Sequence, residues 1–276
     1  MRILLVADVH IRPFAKEKAT SRTLFGLKDA IQKANADLIV FLGDIVHGPD
    51  FQKSNEPYEK YLRRVLDLTG NTPFATVFGN HDDECDVTKD EILDIISTYP
   101  NSLTKGRNYV VDMMGEKLLF IDSGSYYDGE ESYYDIVDDA TVAWAKSKIM
   151  GQKAILFQHI IVPDIMTLCD EKPYYVPFWA YGDKHSVRLK KDVEHIGKMR
   201  ERPCPPSIPT SELTELSPYL KGACFGHDHL NDFELEHMGV KIIQCRGAGY
   251  CCYDNHFRSG VKILDTKSMK TESIYY

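Results

Sequence analysis

Five times along this 276-residue chain a short apolar run stops and gives way at once to aspartate, asparagine or histidine. Residues 2–7 run into Asp8-Val9-His10, 37–42 into Gly43-Asp44, and 74–78 into Gly79-Asn80-His81-Asp82. Residues 154–158 run into His159, and 223–225 into Gly226-His227-Asp228-His229. Short apolar runs bounded by turn residues are the pattern of buried strands. Ligands of open α/β sheets sit beyond the carboxyl ends of strands. Five strand ends carrying these side chains therefore predict one shared sheet edge and one shared site.

The intervening segments fit that plan. Helical spacing predicts a helix over 21–34, with Leu24, Leu27 and Ile31 on one side and Thr20 or Ser21 as cap. Further helices are predicted over 57–68, 88–96 and 140–150, the last with Trp144 inward. Residues 109–113 and 117–121 flank Met114-Gly115-Glu116 as a hairpin. Residues 232–236, 240–244, 261–265 and 271–275 read as a meander. βαβ units running into antiparallel strands predict an α/β fold of two sheets with helices outside. No linker or repeat divides the chain, so 1–276 reads as a single domain. Within it, about 163–209 reads as a lid-like excursion over the surface. That stretch is aromatic at Tyr174, Tyr175, Phe178, Trp179 and Tyr181, basic at Arg188, Lys190 and Lys191, and expected to be partly helical over 187–199.

Apolar content of 43% and charged content of 27% are those of a globular protein whose size needs no disulfide or structural metal to fold. A net charge of −8 argues against sequence-independent binding to nucleic acid, where basic residues on phosphates supply most of the affinity. It leaves a phosphorylated substrate open, because bound cations reverse the local field. The apolar run at 3–7 is too short for a signal or a membrane span, and no later run is long enough. Seven cysteines without a CxxC pair read as reduced thiols, and the expected location is the cytoplasm. The adjacent Cys251 and Cys252 read as small buried side chains at a strand end.

The chemistry follows from residue type. In extended backbone, positions i and i+2 point the same way, so Asp8 with His10, and His227 with His229, can each reach a common ion. Gly43, Gly79 and Gly226 permit tight turns as each strand stops. Imidazole, carboxylate and amide oxygen together suit zinc, manganese or iron, and not copper(I) or an iron–sulfur cluster. Singly, Asp-x-His is usually a surface turn, Gly-Asp a cap, and His159 a satisfied core histidine. Gly-His-Asp-His is more specific, and all five segments in order make the metal reading the stronger one.

In order and spacing, Asp8-x-His10, Gly43-Asp44, Gly79-Asn80-His81-Asp82, His159 and Gly226-His227-x-His229 resemble the calcineurin-like metallophosphoesterase superfamily. Gly79-Asn80-His81-Asp82-Asp83-Glu84 and Gly226-His227-Asp228-His229-Leu230-Asn231-Asp232 resemble its small purple-acid-phosphatase-like branch. The resemblance implies a four-layer α/β/β/α sandwich of two mixed sheets flanked by helices. It implies that Asp8, His10, Asp44 and His229 hold one metal, and Asp44, Asn80, His159 and His227 the other, with Asp44 bridging. Two divalent or trivalent ions (manganese, iron or zinc), about 3.5–4 Å apart in such sites, clamp a phosphate ester while a metal-bound hydroxide attacks phosphorus in line. His81 would then act as general acid or as a donor to developing charge.

His47, three residues after the bridging aspartate, departs from the superfamily pattern. Purple acid phosphatases carry a tyrosine there, so no purple colour is expected. Protein phosphatases carry an aspartate followed by arginine and glycine; here the run is His47-Gly48-Pro49-Asp50, without the phosphate-gripping arginine. His47 is either a substrate contact or an exposed loop residue. The leading expectation is hydrolysis of a small phosphomonoester or phosphodiester. A nuclease or nucleotide phosphodiesterase, and a non-catalytic metal-binding scaffold for a protein partner, are the alternatives. No oligomeric state is specified.

Overall fold

β1 (Arg2–Val6) and β2 (Leu38–Leu42) are buried over nearly their whole length, as their apolar sequences require. In the computed structural model, which describes residues 1–13, 16–172, 186–251, 253 and 259–276, they are joined by α1 (Glu17–Ala34). From β2 the chain passes through α2 (Tyr58–Leu66) to β3 (Phe74–Val77) and α3 (Lys89–Ser97). It then forms the hairpin β4 (Tyr109–Met113) and β5 (Glu116–Phe120), followed by α4 (Asp139–Ile149) and β6 (Ala154–Phe157). Next come β7 (Cys169–Lys172), β8 (Ser186–Leu189), β9 (His195–Lys198), α5 (Glu212–Leu216) and β10 (Leu220–Phe225). The chain finishes with β11 (Asp232–His237), β12 (Val240–Gln244), β13 (Gly260–Asp265) and β14 (Lys270–Tyr275).

Two mixed sheets result. The five-stranded sheet has the order β14-β13-β1-β2-β3, with β1, β2 and β3 parallel and β13 and β14 antiparallel. The seven-stranded sheet has the order β4-β5-β6-β10-β12-β11-β9, parallel from β5 through β12. β7 and β8 form a separate antiparallel pair.

Strand alternation sorts the core into layers. Leu4, Val6, Ile39 and Phe41 pack outward against α1, α2 and α3. Ile3, Leu5, Leu38 and Val40 point the other way, onto Phe120, Phe157, Cys224 and Ile243 of the second sheet. On that sheet's far face Leu156, Ala223 and Phe225 meet Val142, Ala145 and Ile149 of α4 and Leu213 and Leu216 of α5. Helices, sheet, sheet and helices thus make the four layers that the sequence implied. Each fully buried Leu, Ile or Phe contributes about 1.5–3 kcal/mol.

The sequence-based boundaries need three corrections. α1 starts at Glu17, before Thr20 and Ser21, so neither caps it. Thr20 Oγ1 instead accepts from the Arg12 amide (3.0 Å) and donates to the Arg12 carbonyl (2.9 Å), tying the helix to the loop after β1. Trp144 is only half-buried, at the margin of the core face of α4. The helix expected over 187–199 is two strands. Val187 and Leu189 alternate with Arg188 and face the α4–α5 core, while β9 completes the sheet by pairing with β11. Much of the expected excursion is therefore packed: Ile165, Cys169, Val187 and Leu189 are all buried. Its aromatic stretch, Tyr174 to Tyr181, and Cys252 lie outside the described residues. Cys251 is buried, and Cys85, Cys169, Cys204, Cys224, Cys245 and Cys251 are free thiols. No helix among the described residues is long and apolar enough to cross a membrane.

One buried acid makes stability depend on pH. Glu212, in the first turn of α5, is 2% exposed. Burial pushes its carboxyl up to about 8, and the Asp164 charge adds to this against a contact with Gln158. The folded state then keeps a proton that the unfolded chain releases near 4.5. Stability from this group is fully present below that value and falls as pH rises, by up to about 1.4 kcal/mol per pH unit, until it levels off near 8. Urea unfolding between pH 5 and 8.5 should show this decline, and Glu212→Gln should flatten it. An unchanged slope in the variant would assign the dependence elsewhere.

Candidate metal centre

All five strand ends converge on one edge. The five-stranded sheet brings Asp8 and His10 (after β1), Asp44 (after β2), and Asn80 and His81 (after β3). The seven-stranded sheet brings His159 (after β6) and His227 and His229 (after β10). Asp8, His10, Asp44, Asn80, His159, His227 and His229 are all buried. Two groups of potential ligands stand side by side. One is Asp8, His10 and His229; the other is Asp44, His159 and His227. Within each, the ligand atoms lie within 4.8 Å of one another. Asp44 Oδ2 lies between them, 3.3 Å from His10 Nε2 and 3.3 Å from His159 Nε2. Asn80 Oδ1 is 3.3 Å from His159 Nε2, on the second group's side.

The backbone route differs from the extended geometry expected. Asp8, His10, Asp44 and His227 have φ of 52°, 45°, 53° and 72°, in the left-handed region. For residues other than glycine this costs on the order of 1–3 kcal/mol each. The turns are tied across strands: Asp8 N donates to Gly43 O (3.2 Å) and His10 N to Asp44 O (2.9 Å). Asp8 and His10 meet because the chain kinks at both, with Val9 between them turned into the helix-side core. Glycine is required where the turns touch. A Cβ on Gly43, at φ 86°, would stand 2.6 Å from His159 Nδ1, and one on Gly79 only 2.1 Å from Asp44 Oδ1.

Neighbouring groups fix each ligand. His159 Nδ1 donates to Leu42 O (2.6 Å), and His229 Nδ1 to Tyr253 O (3.1 Å) beneath a stacked Tyr253 ring. Each bond leaves Nε2 facing the site, where a bound cation would displace any proton and take its lone pair. Asp44 Oδ1 accepts the His81 amide (2.8 Å), and Asp8 Oδ2 accepts the His227 amide (2.9 Å). Asp82, no ligand itself, straps two turns together by accepting from Asp44 N (3.0 Å), Ile45 N (3.1 Å) and Gly79 N (2.8 Å). Burial and the Asp44 charge push its carboxyl up to about 6.

Charge is arranged for a cation. Burial alone would raise the Asp8 and Asp44 carboxyls. His229 and His10 at Asp8, and His159 and His10 at Asp44, outweigh it and hold both well below the ordinary range. Burial and the neighbouring His159 bring His227 down to about 3, so its imidazole is neutral. Asp8 Oδ1 and Asp44 Oδ2 are buried with no hydrogen-bond donor. Two ionised, unpartnered carboxylate oxygens among imidazole nitrogens fit a pair of metal ions of the nitrogen- and oxygen-liking kind.

His47 is half-buried, not an exposed loop residue. Its Nδ1 is 3.3 Å from His10 Nδ1, and its ring centroid is 5.1 Å from that of His81. Burial and the adjacent His10 lower it to about 3. Several partners escaped the sequence reading. Glu84 hydrogen-bonds His81 Nδ1, Tyr126 OH accepts from Asn80 Nδ2 (3.2 Å), and the Tyr134 ring meets His227 edge-on. Only Glu84 had a local signal, three residues after His81.

A family model for calcineurin-like phosphoesterases matches residues 1–247. The chain belongs to that family. Members of the calcineurin-like phosphoesterase family are metallophosphoesterases with a dinuclear metal centre, and two groups of residues that could hold a metal ion are present here. Among similar proteins, "Probable inactive purple acid phosphatase 14" of Arabidopsis thaliana is 27% identical, over 98% of this chain and 76% of its own length. "Phosphatase DCR2" of Saccharomyces cerevisiae is 24% identical over 90% of this chain, which spans 47% of the yeast protein. A dimetal phosphatase from Danio rerio has the same fold, with a TM-score of 0.62 at 11% identity, covering 100% of this chain and 98% of the other.

Proposed function

We propose that residues 1–276 act as one phosphoesterase domain that hydrolyses a small phosphomonoester or phosphodiester with two metal ions. Asp8, His10, Asp44 and His229 would hold one ion, and Asp44, Asn80, His159 and His227 the other, with Asp44 shared. The observation that carries this is the pair of buried carboxylate oxygens, Asp8 Oδ1 and Asp44 Oδ2, left without donors among the imidazole nitrogens. When bound, such a pair supplies Lewis acidity toward the phosphoryl group and lowers the pKa of water. Manganese, iron and zinc suit the donors.

The chain's own groups supply the rest. His81 keeps its Nδ1 on Glu84, which leaves Nε2 to give a proton to the departing oxygen or a hydrogen bond to developing charge. His47, held neutral by burial, offers the substrate a hydrogen bond rather than a positive charge. A second reading, a metal-binding protein without turnover, draws on the word "inactive" in the names of Arabidopsis relatives.

Elemental analysis beside hydrolysis of p-nitrophenyl phosphate and bis-p-nitrophenyl phosphate, with added manganese, iron or zinc, tests both. About two metals per chain with metal-dependent turnover is the expected result, and the better ester separates mono- from diesterase. Two metals without turnover on any ester would move the protein to the second reading. No metal uptake would end both.

A further inference from the structure

On the side of the sandwich where β9 and β14 form the sheet edges, the two sheets leave a groove of about 570 Å³. Its acids are already engaged. Lys262 pairs with Asp232 (2.7 Å) and Glu234 (3.3 Å), Glu234 also takes Lys241 (2.7 Å), and Tyr275 OH donates to Asp232 (2.7 Å). Three further cations line the groove, Lys198, Arg200 and Arg246; among the described residues none is in an ion pair of its own, and Arg246 feels the already engaged Asp232 and meets the Tyr275 side chain. Arg246 is only 7% exposed, and its Nε is buried without a hydrogen-bond acceptor. A buried donor of a charged group left without an acceptor is destabilising and calls for a partner. Such a convergence runs against the net charge of −8. At the same groove Tyr275 and Ile196 are exposed, 42% and 70%, and the Arg246 guanidinium lies 5.4 Å from the Tyr275 ring centroid.

We propose that this groove is a binding site for a small organic phosphate. Arg246, Arg200 and Lys198 take the phosphate, and Tyr275 and Ile196 take the organic part. Guanidinium forks match phosphate oxygens in geometry and charge. The volume is that of a site for a nucleotide-sized molecule. The groove also touches the loop that carries His229. The amide of Gly247, next to Arg246, donates to His229 O (3.0 Å), and the amide of Arg200 donates to Asn231 Oδ1 (2.7 Å). A phosphate drawing Arg200 and Arg246 together would therefore bear on that loop from both sides.

Calorimetric titration of the full chain, treated with chelator so that the metal centre offers no competing site, is the test. The probes are inorganic phosphate and the phosphonate analogue of adenosine monophosphate, which cannot be hydrolysed. The parent should bind one analogue per chain, more tightly than inorganic phosphate. Lys198→Ala/Arg200→Ala changes two exposed side chains and should weaken binding at least tenfold without moving the ligand-free Tm. Tyr275→Ala should bring the analogue down to the affinity of inorganic phosphate. Equal affinity of the parent for the two probes would overturn the organic half of the assignment. No binding by the parent, or equal binding by the double variant, would overturn the site. Because metals are removed throughout, these outcomes are independent of the dimetal reading.

Discussion

Asp44→Asn is expected to empty both metal positions at once. Asp44 Oδ2 is 3.3 Å from an imidazole nitrogen of each ligand group, and the carboxylate is the only acid of the second. Asparagine keeps the shape and can still accept the His81 amide through its oxygen. It removes the charge and turns an NH2 toward the place where cations would sit. Elemental analysis of the variant, loaded beside the parent, should fall from about two metals per chain to well under one. Hydrolysis should drop by at least about a thousandfold, since both Lewis-acid functions go together. The fold should survive, because Asp82 still ties Asp44 N, Ile45 N and Gly79 N. A variant that retains a full complement would show that Asp44 does not bridge.

His81→Ala should do the opposite, keeping the metals and losing the rate by roughly a hundredfold or more, as general-acid groups do. The His81 side chain belongs to neither ligand group, and its backbone amide, which holds Asp44 Oδ1 at 2.8 Å, survives the substitution. Glu84→Gln should cost a smaller factor, roughly tenfold, because Glu84 acts by holding the His81 ring. In a His81→Ala background, Glu84→Gln should cost nothing more, since the pair acts as a unit. Independent losses would separate Glu84 from His81, and unchanged turnover in His81→Ala would remove His81 from the reaction.

The parts of the fold legible in the sequence were those where apolar period and function coincide. Residues 2–7, 37–42 and 154–158 announce buried strands because both faces are covered, and the ligand side chains follow without a gap. β9 was illegible for the converse reason: His195-Ile196-Gly197-Lys198 is an exposed edge strand, with no apolar face to set a period. The αL kinks at Asp8, His10 and Asp44 could not be read either, since aspartate and histidine signal them weakly and the fold imposes them through bonds between turns. Tyr126, Tyr134 and Tyr253 reach the site from loops whose paths are set by tertiary packing. Their sequences carry nothing that separates them from other tyrosines.

Each ligand group takes members from both sheets: Asp8 and His10 against His229, and Asp44 against His159 and His227. Ions held by these groups would be rivets through the seam of the sandwich. They would add to the bonds that already cross it, such as His159 Nδ1 to Leu42 O (2.6 Å) at this edge and Tyr109 OH to Thr76 O (2.7 Å) and Lys262 to Asp232 (2.7 Å) behind it, around the apolar side chains packed between the sheets. A slide of one sheet over the other by a fraction of an ångström would pull every ligand set apart. Loading the metals would therefore stiffen the whole inter-sheet layer, and the slow breathing of that layer would set how fast metals are lost.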